Sequence, residues 1–554
     1  MDYDLVFLHP PSVYDFRKKP WFPGHLAGTV HFTPVFEGIP IGLISMADYA
    51  QRHGYKVKIF NLAEYMITDQ KFNTEEFIKK INAAYFGIDL HFCVHSQGAI
   101  EVARLCKYHH EDSSIIMGGL TATKFSYELL INHPYIDYVI RGEGEVPILK
   151  LLGEKDHNKV PNLLFKDECG HIKESELIWK AEILDEFDFT NIRLVTPRNL
   201  LTVVPTESKP INHWMIPVCR GCLFNCAACG GSRYSYSHMC NRESPIFRSK
   251  EKIVEDLCKL AGDGIESVFL FMDSRMGGRK YWKSLMNALS SNSTGLKSIN
   301  LELFTPGDKE FLSEIAHLNN TLKVGLSISP ESGNEDVRRF HGRHYTNESL
   351  IKTATFCRKN MIDLAVFFMF GLASENEESI NDTYNLCTKL TDLNFEHGPT
   401  SGLGHLIKNR FGEMLLLDPG SPAYDNPKKF GYKLLFKTLQ DYKNGISSPA
   451  WSDWLSYETS TSTRREILER PLRFYERLIR FYYSRNLISD DQFELAYRKA
   501  KVDRIVLEEL ENIRKLKQSE RKEKRYWELY TALKDYEHGK LSLSWRIKKM
   551  LGIF

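Results

Sequence analysis

The chain has 554 residues, which is enough for about three or four domains, and 42% of its residues are hydrophobic, which suffices for packed cores. Its formal net charge of +2 gives no case for a nucleic-acid surface, and no run of about 18 apolar residues suggests a transmembrane helix. Eleven cysteines, four of them in one short loop, fit a reducing interior better than a secreted disulfide scaffold, so the sequence predicts a cytoplasmic protein.

Predicted strands and helices alternate along residues 1–155. Such alternation predicts a doubly wound, Rossmann-like parallel sheet whose ligands meet the loops that follow the strands. Neither a Gly-x-Gly-x-x-Gly motif nor a Walker loop occurs, which argues against a nucleotide-binding function. The strand-bearing runs lie at 4–11, 55–60, 85–89, 114–119 and 138–145, and helical patterns lie at 41–53 and 98–107.

Residues 156–205 are predicted to connect two domains. The run 166–170 favours a hairpin turn, because it combines charged residues with Gly170. Phe187 and Phe189 lie in an acidic and aromatic run farther along, and we expect them to pack the two flanking domains together.

Three cysteines follow the predicted strand 214–218 in a Cys-x-x-x-Cys-x-x-Cys loop. Three thiolates hold three irons of a four-iron cluster and leave the fourth iron open to a small molecule, whereas four thiolates favour electron transfer or a structural metal. The tight spacing of Cys222, Cys226 and Cys229 therefore indicates a reactive cluster. Cys219 lies three residues earlier, so a four-cysteine zinc site in a zinc-stabilised binding module remains an alternative.

Further apolar runs follow the cysteine loop. Each run by itself is typical of an ordinary buried strand. Asp273 ends the first of them, at the carboxyl edge where barrel enzymes collect ligand-binding residues. The runs lie at 267–273, 298–304, 324–333 and 364–371.

The sequence Arg220-Gly221 with the cysteine loop, followed by these strands in this order, resembles the radical S-adenosylmethionine (SAM) superfamily. The resemblance implies a partial (β/α)6 barrel over 206–425, closed by the turn 418–422. It also implies a [4Fe–4S] cluster on Cys222, Cys226 and Cys229, with SAM on the open iron. The residues predicted to bind SAM are Gly230, Gly231, Ser232, Asp273, Ser329, Glu331 and Ser332.

The N-terminal pattern resembles the cobalamin-binding domain that precedes the barrel in one large subfamily, the class B radical SAM methyltransferases. Pro-Pro follows the first strand, Gly-Gly the fourth and Arg-Gly-Glu-Gly-Glu the fifth. His9, His91 and His95 are candidate cobalt ligands because imidazole suits cobalt. Each is alternatively a hydrogen-bonded loop or core residue, and the resemblance implies that the cobalt then lacks a protein lower ligand. The residues predicted to bind cobalamin are His9, Pro10, Pro11, His95, Ser96, Gly118, Gly119, Gly142, Glu143 and Gly144.

Residues 426–554 are predicted to form a helical C-terminal region, where families of this kind often place substrate specificity. The end at 541–554 is basic and amphipathic. Packing of this end onto the barrel is favoured over peripheral contact with an anionic membrane.

The resemblance implies that SAM is cleaved reductively to a 5′-deoxyadenosyl radical and that an unactivated carbon or phosphorus is methylated through methylcobalamin. Two alternatives remain within the enzyme class: a cobalamin-dependent rearrangement or cyclisation, and a radical SAM enzyme whose N-terminal domain is empty. The expected partners are a flavodoxin-type or ferredoxin-type electron donor and a substrate that is a small molecule, a peptide or a lipid.

Overall fold

Two largely parallel sheets and a set of C-terminal helices organise the protein. The structure is a computed structural model that describes residues 2–22, 24, 38–198, 203–204, 211–395, 406–412 and 414–537. Within these ranges, no helix has both the length and the apolar character needed to cross a membrane. The predicted amphipathic end at 541–554 lies outside the described residues.

The first sheet belongs to the N-terminal domain. Its strands are β1 (Tyr3–His9), β2 (Val57–Asn61), β3 (Ala83–Asp89), β4 (Ser114–Gly118), β5 (Tyr138–Ile140), β6 (Leu163–Lys166), β7 (Ile172–Glu174) and β8 (Val195–Thr196). Their order across the sheet is β7-β6-β5-β4-β3-β1-β2-β8. Strands β1 to β5 pair in parallel, which confirms the doubly wound prediction. The connections diverge between β1 and β3, the switch point where such sheets bind ligands.

Helices cover both faces of this sheet because alternate residues of each strand point to opposite sides. Leu5 and Phe7 of β1 pack with the first helix, whereas Val6 and Leu8 pack with the fourth. The helices are α1 (Gly42–Arg52), α2 (Leu62–Thr68), α3 (Thr74–Lys80), α4 (Ser96–His109), α5 (Leu120–Lys124), α6 (Ser126–Asn132) and α7 (Glu145–Gly153).

The sheet extends beyond residue 155 into the predicted connector. β6 pairs antiparallel with β5, β7 pairs antiparallel with β6, and β8 joins the opposite edge in parallel with β2. Phe187 and Phe189 are buried in a cluster that contains residues of both sheets, which confirms their predicted packing role. The indole N–H of Trp214, from the second domain, also donates to the carbonyl of Phe189 at 2.9 Å.

The second sheet forms the barrel. Its strands, with a separate antiparallel pair of β11 and β12, are β9 (Val203–Val204), β10 (Ile211–Pro217), β11 (Cys219–Arg220), β12 (Ile246–Phe247), β13 (Ser267–Phe271), β14 (Ser298–Leu303), β15 (Lys323–Glu331), β16 (Asp363–Met369) and β17 (Ile407–Gly412). The order is β17-β16-β15-β14-β13-β10-β9, and β10 and β13 to β17 pair in parallel. This arrangement confirms the partial (β/α)6 barrel.

Side-chain caps start the barrel helices where the sequence provides them. Ser249, Asp308 and Thr346 each accept a hydrogen bond from a backbone N–H in the first turn of the helix that follows. The helices are α8 (Arg233–Cys240), α9 (Lys250–Gly262), α10 (Gly278–Ser291), α11 (Lys309–Asn319), α12 (Glu335–Phe340), α13 (Asn347–Lys359), α14 (Glu377–Asp392) and α15 (Pro422–Asp425).

The C-terminal region is mainly helical, and it also contains an antiparallel pair of short strands, β18 (Tyr432–Leu434) and β19 (Tyr457–Thr459), which the sequence analysis did not predict. Phe474 packs against Phe370 and Phe411, so the first long helix closes the open side of the barrel sheet near β17. The helices are α16 (Leu439–Ile446), α17 (Arg464–Ser484), α18 (Asp490–Arg514) and α19 (Ser519–Glu537).

Candidate active site

The three-cysteine loop lies at the carboxyl end of β10, directly after β11. The N–H of Phe224 donates to Sγ of Cys222 and the N–H of Gly231 donates to Sγ of Cys229, both at 3.3 Å. Burial raises the pKa of Cys222 to about 11. Such thiols lose their protons when a metal binds, and the two N–H groups then stabilise the thiolates. The loop therefore fits a thiolate-ligated metal group.

The spacing of the sulfur atoms separates a cluster from zinc. Four thiolates around one zinc, at about 2.3 Å each, bring their sulfur atoms within about 3.8 Å of one another. In the described part of the chain, no three of Cys219, Cys222, Cys226 and Cys229 have sulfur atoms that all lie within 4.8 Å of one another. Each iron of a four-iron cluster takes its own thiolate, so wider spacing is required. The loop fits the cluster better than the zinc alternative.

The turn at 418–422 packs on the cysteine loop. A carboxylate oxygen of Asp418 accepts from the N–H of Gly230 at 2.9 Å, and the N–H of Asp418 donates to the carbonyl of Ala228 at 3.2 Å. The N–H of Ala423 donates to the carbonyl of Ala227 at 2.8 Å. These bonds fix the end of the loop against the far edge of the barrel.

The predicted SAM segment 230–232 is occupied by contacts within the protein. The N–H groups of Gly230 and Gly231 are used as just described, and the N–H of Ser232 donates to the carbonyl of Cys229 at 3.2 Å. The Ser232 hydroxyl caps α8. These contacts support the cysteine loop, and SAM binding by the segment stays a prediction.

Asp273 also has partners of its own. Its two oxygens accept from Arg275, and one accepts from the N–H of Phe304 at 2.8 Å. The neighbouring strand end offers a different carboxylate, Glu302, one oxygen of which accepts from the N–H of Met272 at 2.7 Å. Burial raises the pKa of Glu302, although Met272 and a nearby arginine oppose the shift.

The direction of the Glu331 side chain is set by a shift in the pairing register of β15. The pairing with β16 shifts between Ile328 and Glu331, and such a bulge turns a side chain toward a new direction. Glu331 forms an ion pair with Arg343 at 2.7 Å. Ser332, in contrast, binds Asn334 through its hydroxyl, and the half-buried Ser329 stays in the strand.

Arg343 is the main site residue that the sequence analysis missed. It follows Gly342, which has a φ of +87°. Gly342 packs directly on the cysteine loop, because a Cβ added to it would lie 2.7 Å from the carbonyl oxygen of Asn225. Arg343 lies close enough to Cys226 to lower its thiol pKa, although burial keeps that pKa raised overall. Nε of Arg343 is buried and has no hydrogen-bond partner among the described residues, and the same holds for the Tyr345 hydroxyl. These two groups fit a polar ligand beside the cluster, such as the carboxylate of SAM.

One cavity of about 470 Å³ lies between the carboxyl edges of the two sheets. The barrel contributes Met215, Pro217, Phe271 and Met272 to its wall, and the N-terminal domain contributes Asp89, His91, Phe92 and mostly apolar residues of α1. Neither Gly42 nor Gly118 would place an added Cβ closer than 3.8 Å to a neighbouring atom, so both leave space at the wall. The predicted cobalamin residues that line the cavity are Gly118, Gly119, Gly142, Glu143 and Gly144.

The other predicted cobalamin residues do not line this cavity. His9 and His95 are completely buried and both approach Asp89, with Nδ1 to Oδ2 distances of 3.0 and 3.7 Å. The Pro11 carbonyl packs so closely on α4 that a Cβ at Gly98 would lie 1.8 Å from it. The β1 loop therefore packs against α4, and its predicted residues do not line the cavity. The residues in this second group are His9, Pro10, Pro11, His95 and Ser96.

A buried ionic network joins the two domains beside the cavity. Arg220, directly before the cysteine loop, donates to Glu143 at 2.8 Å and to Glu145 at 3.1 Å. Arg242 donates to Glu143 at 2.6 Å. Although burial opposes ionisation, the two guanidinium groups hold the pKa of Glu143 below its ordinary value. The Arg-Gly-Glu-Gly-Glu segment is thus tied to the barrel.

The comparisons with known proteins agree with this architecture. Residues 216–387 match the radical SAM superfamily and residues 29–152 match the B12 binding domain. The chain therefore contains a radical SAM domain and, N-terminal to it, a B12-binding domain. The two domains together imply a [4Fe–4S] cluster, SAM and cobalamin as cofactors.

Similar proteins include two curated relatives and one solved structure. The chain is 24% identical over 322 residues to an uncharacterized protein of Methanocaldococcus jannaschii. The matched region covers 50% of this chain and only 60% of the length of that relative. It is 24% identical over 365 residues to an uncharacterized methyltransferase of Pyrococcus horikoshii, covering 64% of this chain and 74% of that relative. The radical SAM methyltransferase TsrM of Kitasatospora setae, solved with cobalamin and a [4Fe–4S] cluster, superposes with a TM-score of 0.53 at 15% identity, covering 78% of this chain and 77% of that one.

Proposed function

We propose that this enzyme is a cobalamin-dependent methyltransferase that methylates an unactivated carbon or phosphorus of its substrate. The observation that carries the proposal is the shared cavity, because the carboxyl edges of the barrel and of the B12-binding sheet both open onto it. Enzymes of both sheet types bind their ligands at these edges. Groups bound at the two edges would therefore face each other across the cavity.

The protein's own residues would hold the cofactors. Cys222, Cys226 and Cys229 would ligate the cluster, and Arg343 with Glu302 would bind the charged and hydroxyl groups of SAM. When bound, the cluster supplies an electron for cleavage of SAM, and the corrinoid supplies a carrier for the methyl group.

The cavity wall would protect this chemistry from water. Phe7, Leu43, Met46, Ile116 and Phe189 all line it, and apolar walls exclude water and side reactions. The Arg220 network holds the cysteine loop against the B12-binding domain, so it would keep the two cofactor sites at a constant separation.

Methyl transfer is favoured over rearrangement by the relatives. The Pyrococcus protein is described as a methyltransferase, and TsrM is a methyltransferase with the same two cofactors bound. We further propose an electron donor of the flavodoxin or ferredoxin type, since cleavage of SAM consumes an electron, and a substrate that is a small molecule, a peptide or a lipid.

The test uses anoxically purified, cobalamin-loaded protein, a chemical reductant, and SAM labelled in its methyl group. We expect label in the corrin fraction and formation of 5′-deoxyadenosine. The Cys226→Ala variant should lose 5′-deoxyadenosine, whereas Cys258→Ala, a change at an exposed cysteine outside the loop, should retain both products. Formation of 5′-deoxyadenosine without corrin labelling would favour rearrangement or an empty domain, and absence of both products from the wild type would refute the proposal.

A further inference from the structure

Burial alternates along the strands of the barrel sheet. Val268, Ile299 and Val366 are buried in a core that also contains residues of the barrel helices. Consecutive residues of a strand lie on opposite faces of the sheet, so the residues that alternate with these three share the other face, the inner face of the barrel. Met215 and Phe271 lie on the inner face and line the cavity between the two sheets. The inner face therefore opens onto the shared cavity.

The last strand of the barrel brings two cations to this face. On β17, Phe411 packs into the same core, and Nδ2 of Asn409 donates to the carbonyl of Cys387 in α14 at 2.9 Å. Both residues therefore lie on the outer face, which the helices cover. Lys408 and Arg410 alternate with them, so they lie on the inner face. Arg410 is exposed and Lys408 is half-buried.

The pairing register places uncharged side chains beside the two cations. Arg410 pairs with Phe367, and Lys408 pairs with Ala365. Ala365 pairs in turn with Ser327. Phe367 is 40% exposed although it lies on the inner face, so an apolar surface is left uncovered beside Arg410. The barrel thus offers apolar surface and positive charge next to each other.

The carboxyl groups of the inner face do not neutralise these cations. Asp363 forms an ion pair with Lys323 at 3.1 Å, and Glu331 forms one with Arg343 at 2.7 Å. Burial raises the pKa of the third carboxyl group of this face, that of Glu302, which favours its uncharged form. Within the described ranges, the two cations of β17 form no ion pair. Cations of this kind bind the oxygens of a carboxylate or a phosphate.

We propose that Lys408 and Arg410 bind an oxyanion of the substrate, a carboxylate or a phosphate, while the apolar part of the substrate rests on the exposed side chains of Phe367 and Met215. The inference rests on the proposed function and narrows it, because it names the substrate as a small molecule with an apolar body and an anionic group. The guanidinium of Arg410 offers paired N–H donors to two oxygens, and the ammonium of Lys408 adds a point charge. The two residues would position the substrate, and they take no part in the transfer of the methyl group.

The experiment measures ligand binding to the full-length protein, loaded with its cluster, cobalamin and SAM and kept without reductant. The probes are matched pairs of small aromatic and aliphatic compounds: carboxylic acids with their amides, and phosphate monoesters with their parent alcohols. Ligand-detected nuclear magnetic resonance gives the dissociation constants. We expect the anion of the best pair to bind about tenfold more tightly than its neutral partner, because hydrogen bonds between charged groups are strong. Which type of anion shows the larger preference distinguishes a carboxylate from a phosphate.

The variants assign this preference to the two cations. Lys408→Gln/Arg410→Gln should bring the two members of each pair within about twofold of each other, because both positive charges are removed. Lys408→Arg/Arg410→Lys should keep the preference for the anion, because both charges remain. Lys352→Gln is the matched control, since it removes an exposed cation of α13 that pairs with Glu348, and it should also keep the preference.

Three results would overturn the proposal: no preference for anions in the wild type, a preference that the double neutral variant keeps, or loss of SAM binding in that variant, which would assign the cations to SAM. If the double neutral variant does not fold, Lys408→Gln and Arg410→Gln are measured singly, and an unchanged preference in both would overturn the proposal as well. Failure of the proposed function is recognised separately, because it appears as absent corrin labelling in the wild type without any probe.

Discussion

Replacement of Arg220 by Met should destabilise the protein strongly, because it removes the ion-pair partner of the buried Glu145 carboxylate. Glu145 is 2% exposed in its side chain and would keep only the Ser45 hydroxyl, at 2.7 Å. Glu143 would retain Arg242. Removing one partner of a buried pair costs about 3–5 kcal/mol because the remaining charge stays buried. We therefore expect Arg220→Met to lose about 3–5 kcal/mol of unfolding free energy at pH 8.

Neutralising the orphaned carboxylate should restore much of that loss. In the double variant Arg220→Met/Glu145→Gln no unpaired charge remains, so we expect a coupling of about 2–3 kcal/mol between the two sites. The single variant should also recover on lowering the pH to 5. An unpaired buried carboxyl has a raised pKa, and its protonation on acidification removes the penalty.

Urea unfolding followed by tryptophan fluorescence measures these differences. Glu348→Gln is the control, because Glu348 and Lys352 form a pair that is about three-quarters exposed on both sides, and its loss should cost under about 1 kcal/mol. If Arg220→Met costs no more than this control, or if the double variant is as unstable as the single one, the network does not hold the two domains together.

Three further predictions follow from single positions. Cys226→Ala should lower the iron content of anoxically reconstituted protein well below that of Cys258→Ala, which should equal the wild type in a colorimetric iron assay. Gly98→Ala should lower the melting temperature by several degrees, because its Cβ would lie 1.8 Å from the Pro11 carbonyl and relieving such a clash costs about 1–3 kcal/mol or more; an unchanged melting temperature contradicts the packing of the β1 loop. Burial raises the pKa of the Glu375 carboxyl to about 7 in the folded protein, so the stability that its protonated form contributes is lost as the pH rises from about 4.5 through 7. The melting temperature should therefore fall less across this pH range in Glu375→Gln than in the wild type. Parallel curves for the two proteins would contradict the raised pKa.

Local sequence patterns predicted the two sheets because strand and helix periods are properties of short segments. The cysteine loop could be predicted for the same reason, since its three ligands lie within eight residues. Strands β6, β7 and β8 are short and join the sheet through pairing with distant segments, so the connector did not reveal them.

The site was predicted less completely, because the direction of a side chain and its hydrogen-bond partners depend on tertiary packing. A histidine at a strand end can turn toward either side of the sheet edge. The Pro11 carbonyl packs on Gly98 of α4, and His91 lines the cavity whereas His9 and His95 do not. The contact of Asp273 with SAM stays a prediction, and the hydrogen bonds that its oxygens accept from Arg275 could not be read from its position in the strand. Arg343 has no local signal, because Gly342 brings it to the cysteine loop only in the folded chain.

The central claim is that one chain holds a reactive cluster and a corrinoid at a shared cavity. The most direct measurement is the content of iron, sulfide and corrinoid per chain, after anoxic purification from cells supplied with cobalamin. The account predicts about four irons, about four sulfides and about one corrinoid. Four irons without corrinoid would contradict the shared cavity as a cofactor site, and one zinc without iron would contradict the cluster.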